Sequence, residues 1–196
     1  INGAGSAGIS IAKFLIELGA KNMIVCDRFG IIYKGDPQLN IAQQELSFIT
    51  NKKRIKGSLA DALVNADVFI GVSAGNIVSE DMIRSMNKDS IVFPLANPTP
   101  EISRDKALNA GARVVGTGVS NLPNQINNAL VFPGLFRGAL DSRVTQITTK
   151  MEIAAAKAVA SIVKKEELTE TYIIPNIFNK KVVKRVASAV SKAALV

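Results

Sequence analysis

The sequence predicts an α/β fold: a doubly wound, mostly parallel sheet with helices on both faces, followed by a C-terminal helical layer. Three observations lead there. Short, near-continuous apolar runs of strand length recur through the first 118 residues, as a parallel sheet covered on both faces requires. Helical stretches with recognisable caps alternate with those runs, which implies right-handed crossovers within one sheet. After Val115 the alternation stops and helical patterns take over.

Taken in order, the first strand is reduced to Ile1-Asn2 ahead of a glycine-rich turn, GAGSAG at Gly3 to Gly8. A central strand usually needs about five residues, so the chain is expected to be a segment of a longer polypeptide. A helix is expected over Ala7 to Leu18, with apolar positions at Ile9, Ile11, Ala12, Leu15 and Ile16 and a stop at Gly19. Met23 to Cys26 (MIVC) reads as the next strand. Phe29 to Asn40, with Gly30, Gly35, Asp36 and Pro37, reads as an excursion before the following helix.

Ser58 with Asp61 three residues on forms a capping-box pattern opening SLADALVNA. Strands are expected at Val68 to Val72 (VFIGV), Ile91 to Leu95 (IVFPL) and Ala112 to Val115 (ARVV). Between them Ser79, followed by Glu80 and Asp81, and Ser103, opening RDKALNA, mark helix starts. Asn124 to Leu140 is expected as a helix interrupted near Pro133-Gly134. Thr149 with Glu152 is expected to cap an alanine-rich helix to about Val163, and Asn179 to start another ending at Leu195.

Composition narrows the chemistry. The chain has 196 residues, 47% of them hydrophobic and 20% charged, the profile of a globular domain with a real core. No apolar run approaches the roughly 20 residues of a membrane span, and no signal peptide is recognisable at the start of the sequence. The single cysteine, Cys26, sits in an apolar run, which rules out an internal disulfide framework and makes a cytoplasmic location the expectation. With no histidine in these residues, a His-dependent triad or a His-containing zinc site is excluded from them. The net charge is +8, and from Lys150 onward nine Lys/Arg face four Glu. Those cations lie on helical patterns without interleaved stacking aromatics, so solvated helix faces or an anionic partner subunit are expected rather than nucleic acid.

The glycine loop carries the first functional signal. GAGSAG satisfies G-x-G-x-x-G: one glycine for the tight turn, one to let backbone N–H groups approach a pyrophosphate, one for close packing. The pyrophosphate would sit at the positive end of the helix that follows. Asp27 stands nineteen residues after Gly8, the spacing at which a carboxylate accepts hydrogen bonds from ribose hydroxyls. An acid there repels a 2′-phosphate and favours NAD over NADP, although Arg28 beside it could serve that phosphate. The other strand ends carry small or hydrogen-bonding residues: Ser73-Ala74-Gly75, Ala96-Asn97-Pro98 and Gly116-Thr117-Gly118. Asn97 and the Asn127-Asn128 pair offer uncharged amides able to hold a hydroxy acid. A turn role for Asn97 and a cap role for the pair remain open.

Together GAGSAG, CDRFG, FIGVSA, PLANPTPE and PNQINNALVFPGLFRGALD resemble the cofactor-binding half of malic enzyme, over essentially the whole chain. The resemblance implies a Rossmann-like NAD(P)-binding domain over 1–196, with 119–196 as its helical part. It implies oxidative decarboxylation of malate to pyruvate and CO₂ by NAD or NADP with Mg or Mn, in a cytoplasmic homodimer or larger homo-oligomer. Carried over by position, Gly3, Ala4, Gly5, Ser6, Ala7 and Gly8 form the phosphate loop, and Asp27 and Arg28 flank the ribose. Val72, Ser73, Ala74 and Gly118 line the cofactor, and Asn97 contacts both cofactor and substrate. Asn127 or Asn128, the second preferred, supplies another malate contact. In that family the base, the acid and the metal-binding carboxylates precede the glycine loop, so these residues are expected to hold no catalytic residue or metal ligand and to be inactive alone. Asp141 matches no metal motif and is expected to be a helix partner. Another two-domain Rossmann dehydrogenase, and a non-catalytic NAD-sensing module, are the alternatives.

Overall fold

The computed structural model describes residues 1–195; Val196, the last residue of the expected domain range, lies outside the described residues. The chain divides into two compact units, Ile1–Thr117 and Gly118–Val196.

The first unit holds the sheet. Strands β3 (Val68–Gly71), β4 (Ile91–Pro94) and β5 (Val114–Val115) pair in parallel in that order, with Val68 opposite Ile91 and Ile91 opposite Val114. Strands β1 (Cys26–Asp27) and β2 (Gly30–Ile31) form an antiparallel hairpin. The two pieces are joined through Asn2, which bridges in parallel to Cys26 on one side and to Gly71 on the other. Its N–H donates to the Ile70 carbonyl at 2.8 Å and its carbonyl accepts from Val72 N–H at 2.9 Å, while Gly3 N–H reaches the Cys26 carbonyl at 2.9 Å. Ile1-Asn2 thus occupies the central position of a doubly wound sheet.

The strand expected over Met23 to Cys26 is instead Cys26–Asp27, its ladder set by the hairpin with β2, Cys26 opposite Ile31 and Asp27 opposite Gly30. The expected Ala112 to Val115 strand contracts to its last two residues. The Phe29–Asn40 excursion contains β2 rather than loop alone. Burial along β3 and β4 alternates: Phe69, Gly71, Val92 and Pro94 are buried, whereas Ile70, Ile91 and Phe93 are half-buried and Val68 is exposed. Thus one face is fully covered within the unit, by Ile83, Met86, Ile102, Ala107 and Ala110 packing on Phe69, Val92 and Val115.

Among the described residues six α-helices start where side-chain oxygens accept orphan N–H groups of the first turn. Asn40 and Gln43 close a reciprocal box at α2 (Ile41–Ile49), as do Ser58 and Asp61 at α3 (Leu59–Leu63). The hydrogen bonds from Ser58 hold the Asp61 carboxyl below its usual range. Ser79 caps α4 (Glu80–Arg84) and Ser103 caps α5 (Arg104–Asn109), as the sequence indicates. Helix α1 (Ser6–Glu17) is the exception in this unit: Gly5 occupies its cap position with no side-chain hydrogen bond.

The second unit is helical: α6 (Phe132–Asp141), α7 (Thr149–Ala160) and α8 (Lys180–Ala194). Val182, Val186 and Val190, four residues apart, form the buried stripe of α8 against Leu135 and Ala139 of α6 and Met151, Ala155 and Val159 of α7. Pro133-Gly134 opens α6 instead of interrupting it, since proline's missing N–H costs nothing in a first turn. Ahead of it there is only a 3₁₀ turn at Asn128–Leu130. The cap of α7 is Thr148, not Thr149, and the helix ends at Ala160, short of Val163. Asn179 caps α8 as expected. No helix among the described residues is long and apolar enough to cross a membrane.

Candidate functional site: the carboxyl ends of the strands

The glycine loop separates into three physical roles. Gly3 has φ +112°, and a Cβ there would stand 2.6 Å from the Val72 carbonyl oxygen. A Cβ on Gly8 would collide with the Gly3 carbonyl. These two glycines are demanded by backbone packing against backbone. Gly5 differs: its φ is −83°, and nothing lies within 4 Å of where its Cβ would be. Gly5, Ser6 and Ala7 are exposed while Ala4 and Gly8 are buried. The loop therefore presents an open, uncapped helix N-terminus of α1, whose free N–H groups and dipole suit an anion.

Asp27 lies at the end of β1, partly buried. One carboxylate oxygen accepts from Arg28 N–H at 2.7 Å and the other from the Gln43 amide. That amide also donates to the Ala4 carbonyl at 3.3 Å, and the Gln43 side-chain oxygen accepts from Asn40 N–H at 3.1 Å. Buried Gln43 thus ties the acid to the glycine loop and leaves each Asp27 oxygen a lone pair for a sugar hydroxyl. Sequence reasoning missed Gln43; the N-x-x-Q spacing of Asn40 and Gln43 was the available signal. The Arg28 guanidinium lies over the Phe29 ring, 4.6 Å from its centroid. Cys26, next to the acid, is buried, and burial pushes its thiol up to about 11.

At the end of β3, Val72 is half-buried and Ser73 and Ala74 are exposed. Ser73 Oγ accepts from the Asn2 side-chain amide at 2.7 Å, so the loops after the central segment and after β3 are coupled. Asn97 follows β4 on an exposed loop, and its peptide bond to Pro98 is cis. Glycine loop, Asp27, Val72–Ala74 and Asn97 all follow the carboxyl ends of strands in one unit, where doubly wound sheets bind ligands. Glu101, which sequence reasoning did not single out, is completely buried beneath the loops after β3 and β4.

Gly118, Asn127 and Asn128 belong to the second unit. Gly118 is exposed with open space around it. Asn127 Oδ1 accepts from Ala129 N–H at 2.9 Å and caps the 3₁₀ turn, while Asn128 is exposed. Both border an apolar hollow of about 310 Å³ with Leu130, Phe132, Val159 and Ile174. Asp141 makes a two-pronged ion pair with Arg137, at 2.9 and 2.8 Å, a helix partner. Among the described residues no group of three or more Cys, Asp or Glu side chains could hold a metal ion.

A parallel sheet with this strand-end chemistry, a glycine loop opening α1 and an acid closing β1 define a Rossmann-like dinucleotide-binding domain. The family described as "Malic enzyme, NAD binding domain" matches residues 1–195, and the chain belongs to that family. It is 51% identical over 195 residues to a bifunctional malic/malolactic enzyme of Bacillus subtilis, covering 99% of this chain and 48% of that protein. It is 50% identical over 194 residues to an NAD-dependent malic enzyme of Geobacillus stearothermophilus, covering 99% of this chain and 40% of that one. The crystal structure of an NAD-dependent malic enzyme from Thermotoga maritima superposes with a TM-score of 0.91 at 45% identity, over 97% of this chain and 50% of that one. Relatives named NADP-dependent also match. The chain spans about half the length of these curated relatives, and corresponds to the cofactor-binding part of malic enzyme.

Proposed function

We propose that the complete protein oxidatively decarboxylates malate to pyruvate and CO₂, with NAD as coenzyme in preference to NADP, and that the residues described here seat the coenzyme and help orient malate. The observation that carries this reading is Gly5, an open position at an uncapped helix N-terminus flanked by two glycines that backbone packing demands. The first-turn N–H groups of α1 receive the pyrophosphate, and the Asp27 carboxylate, held by Arg28 N–H and Gln43, accepts the ribose hydroxyls. That fixed negative charge disfavours a 2′-phosphate, and the Arg28 guanidinium is engaged on the Phe29 ring rather than offered to one. Val72, Ser73 and Ala74 line the cofactor.

Asn97 presents an exposed amide for substrate and nicotinamide. Asn128 is the better malate contact of its pair, because the side-chain oxygen of Asn127 is committed to the turn. The two units are read as one NAD(P)-binding domain with residues 119–196 as its helical part, Gly118 closing the last strand end. A nicotinamide held there would supply the hydride acceptor for oxidation at malate C2. The general base, the acid and the ligands of a Mg or Mn ion are assigned to residues outside those described, in a cytoplasmic homodimer or larger assembly.

The test is to follow absorbance of the reduced coenzyme and pyruvate together in the full-length protein, supplying NAD and NADP separately with malate and Mg. Malate-dependent reduction with matching pyruvate, faster with NAD, is expected. Coenzyme binding without malate-dependent reduction overturns the enzymatic reading in favour of a sensing module. Faster reduction of NADP overturns the coenzyme assignment.

A further inference from the structure

Glu101 is a charged side chain with no exposure to solvent, and the active-site reading above gives it no task. Its carboxylate spans the ends of two strands. One oxygen accepts from Ser73 N–H at 2.9 Å and from the Ser73 hydroxyl at 3.2 Å; the other accepts from Ala96 N–H at 3.0 Å. The Ser73 hydroxyl in turn accepts from the Asn2 amide, so its proton is directed at Glu101. Both backbone partners can only donate, and the hydroxyl is turned to donate, the pattern of an ionised carboxylate. Gly71 makes room for it, since a Cβ there would stand 2.5 and 2.6 Å from the two oxygens. Among the described residues no Lys or Arg pairs with it. A buried charge that forgoes a cationic partner is costly, and three hydrogen bonds offset only part of that cost.

The placement of the site gives that charge a use, and the inference rests on the dinucleotide reading above. The adenosine ribose is assigned to Asp27, on one side of the central segment, and the pyrophosphate to the loop leaving that segment. The nicotinamide half must then run to the other side, over the ends of β3 and β4. Those ends are Ser73 and Ala96-Asn97, the backbone that Glu101 holds from beneath. The oxidised nicotinamide ring is a cation and the reduced ring is neutral. We propose that Glu101 is the residue by which this site distinguishes the two redox forms of its coenzyme, its buried anion favouring the oxidised, cationic ring while its hydrogen bonds keep the two loops in register.

A purely structural carboxylate would change affinity for both forms alike, so the ratio of affinities is the readout. The experiment measures Kd for NAD⁺ and for NADH by calorimetry on the full-length protein, its Glu101→Gln variant and its Ser73→Ala variant. Glu101→Gln keeps the shape and removes the charge. It is expected to weaken NAD⁺ relative to NADH roughly tenfold, the order of one poorly screened charge. Ser73→Ala removes a donor that partly neutralises the carboxylate, so it is expected to hold or raise the preference for NAD⁺ whatever it does to overall affinity. An unchanged ratio in Glu101→Gln overturns the proposal while leaving the dinucleotide site intact. Should Glu101→Gln fail to fold, a fall in NAD⁺ preference in Ser73→Ala overturns it instead. Wild-type protein that binds neither coenzyme overturns the proposal and the dinucleotide reading together.

Discussion

Glycines in the sheet unit and glycines in the helical unit meet their neighbours in different ways, and the contrast separates binding from packing. In the helical unit Gly134 and Gly138 lie one turn apart on α6 and face α8. A Cβ on the first would stand 2.6 Å from Val186 Cβ, and on the second 2.6 Å from the Ala187 carbonyl and 2.7 Å from Val190 Cβ. Ser191 Oγ adds a hydrogen bond to the Gly138 carbonyl at 3.0 Å. These residues are absent side chains that let two helices approach, and their effect is confined to the core. In the sheet unit Gly3 and Gly8 serve the same end, backbone against backbone, but the turn they build exposes Gly5, which touches nothing. A glycine with a hard neighbour is explained by the fold. A glycine with φ −83° and open space is not demanded by packing; it holds the cap position of α1 and, in the function proposed above, leaves the approach to its N–H groups clear.

Substitutions sharpen that division. The largest effect is expected from Gly8→Ala, whose methyl has no route away from the Gly3 carbonyl. A loss of at least about 3 kcal/mol in urea unfolding, or failure to accumulate folded protein, is expected. Gly138→Ala comes next. Helix propensity returns about 1 kcal/mol, but α6 and α8 must separate against Ala187 and Val190, so a net loss of roughly 2 kcal/mol is expected. Amide exchange should accelerate in those two helices and not in the sheet; acceleration spread evenly over the chain would break the distinction between the two units.

A smaller effect concerns Cys26. Because burial raises its thiol to about 11, the unfolded chain loses that proton first as pH rises, and folded stability declines between about pH 9 and 11. Cys26→Ala should lack that decline. At pH 8 the folded protein should resist alkylation at Cys26, and rapid modification of native protein would contradict its burial.

Much of this was legible in the sequence, for reasons visible residue by residue. Ser58, Ser79, Ser103 and Asn179 cap the helices they announce, because a cap needs only neighbours in sequence. The glycine loop and Asp27 were legible because both follow a sequence pattern of fixed spacing, and the fold places them at the ends of adjacent segments of one sheet. Strand lengths were not: Met23–Val25 carry a strand composition, yet the strand is Cys26–Asp27, fixed by pairing with Gly30–Ile31 that the fold brings about. Pro133 reads as an interruption until the 3₁₀ turn before it shows that the helix begins there. Glu101 and Gln43 escaped because their partners, Ser73 with Ala96 and Asp27 with Ala4, are brought to them by the fold. The roles of Asn97 and Asn128 were set by resemblance to malic enzyme, and the structure leaves their exposed amides available for it.

The central claim, that the open turn at Gly5 exists to receive a pyrophosphate, is tested most directly by Gly5→Ala. The backbone accepts alanine there and no atom opposes the new methyl, so the melting temperature without ligand should stay within about 3 °C, a change of about 1 kcal/mol. The account predicts that calorimetric affinity for NAD falls at least tenfold in the same protein, because the methyl occupies the approach to the N–H groups of α1. Unchanged melting with unchanged affinity would contradict it.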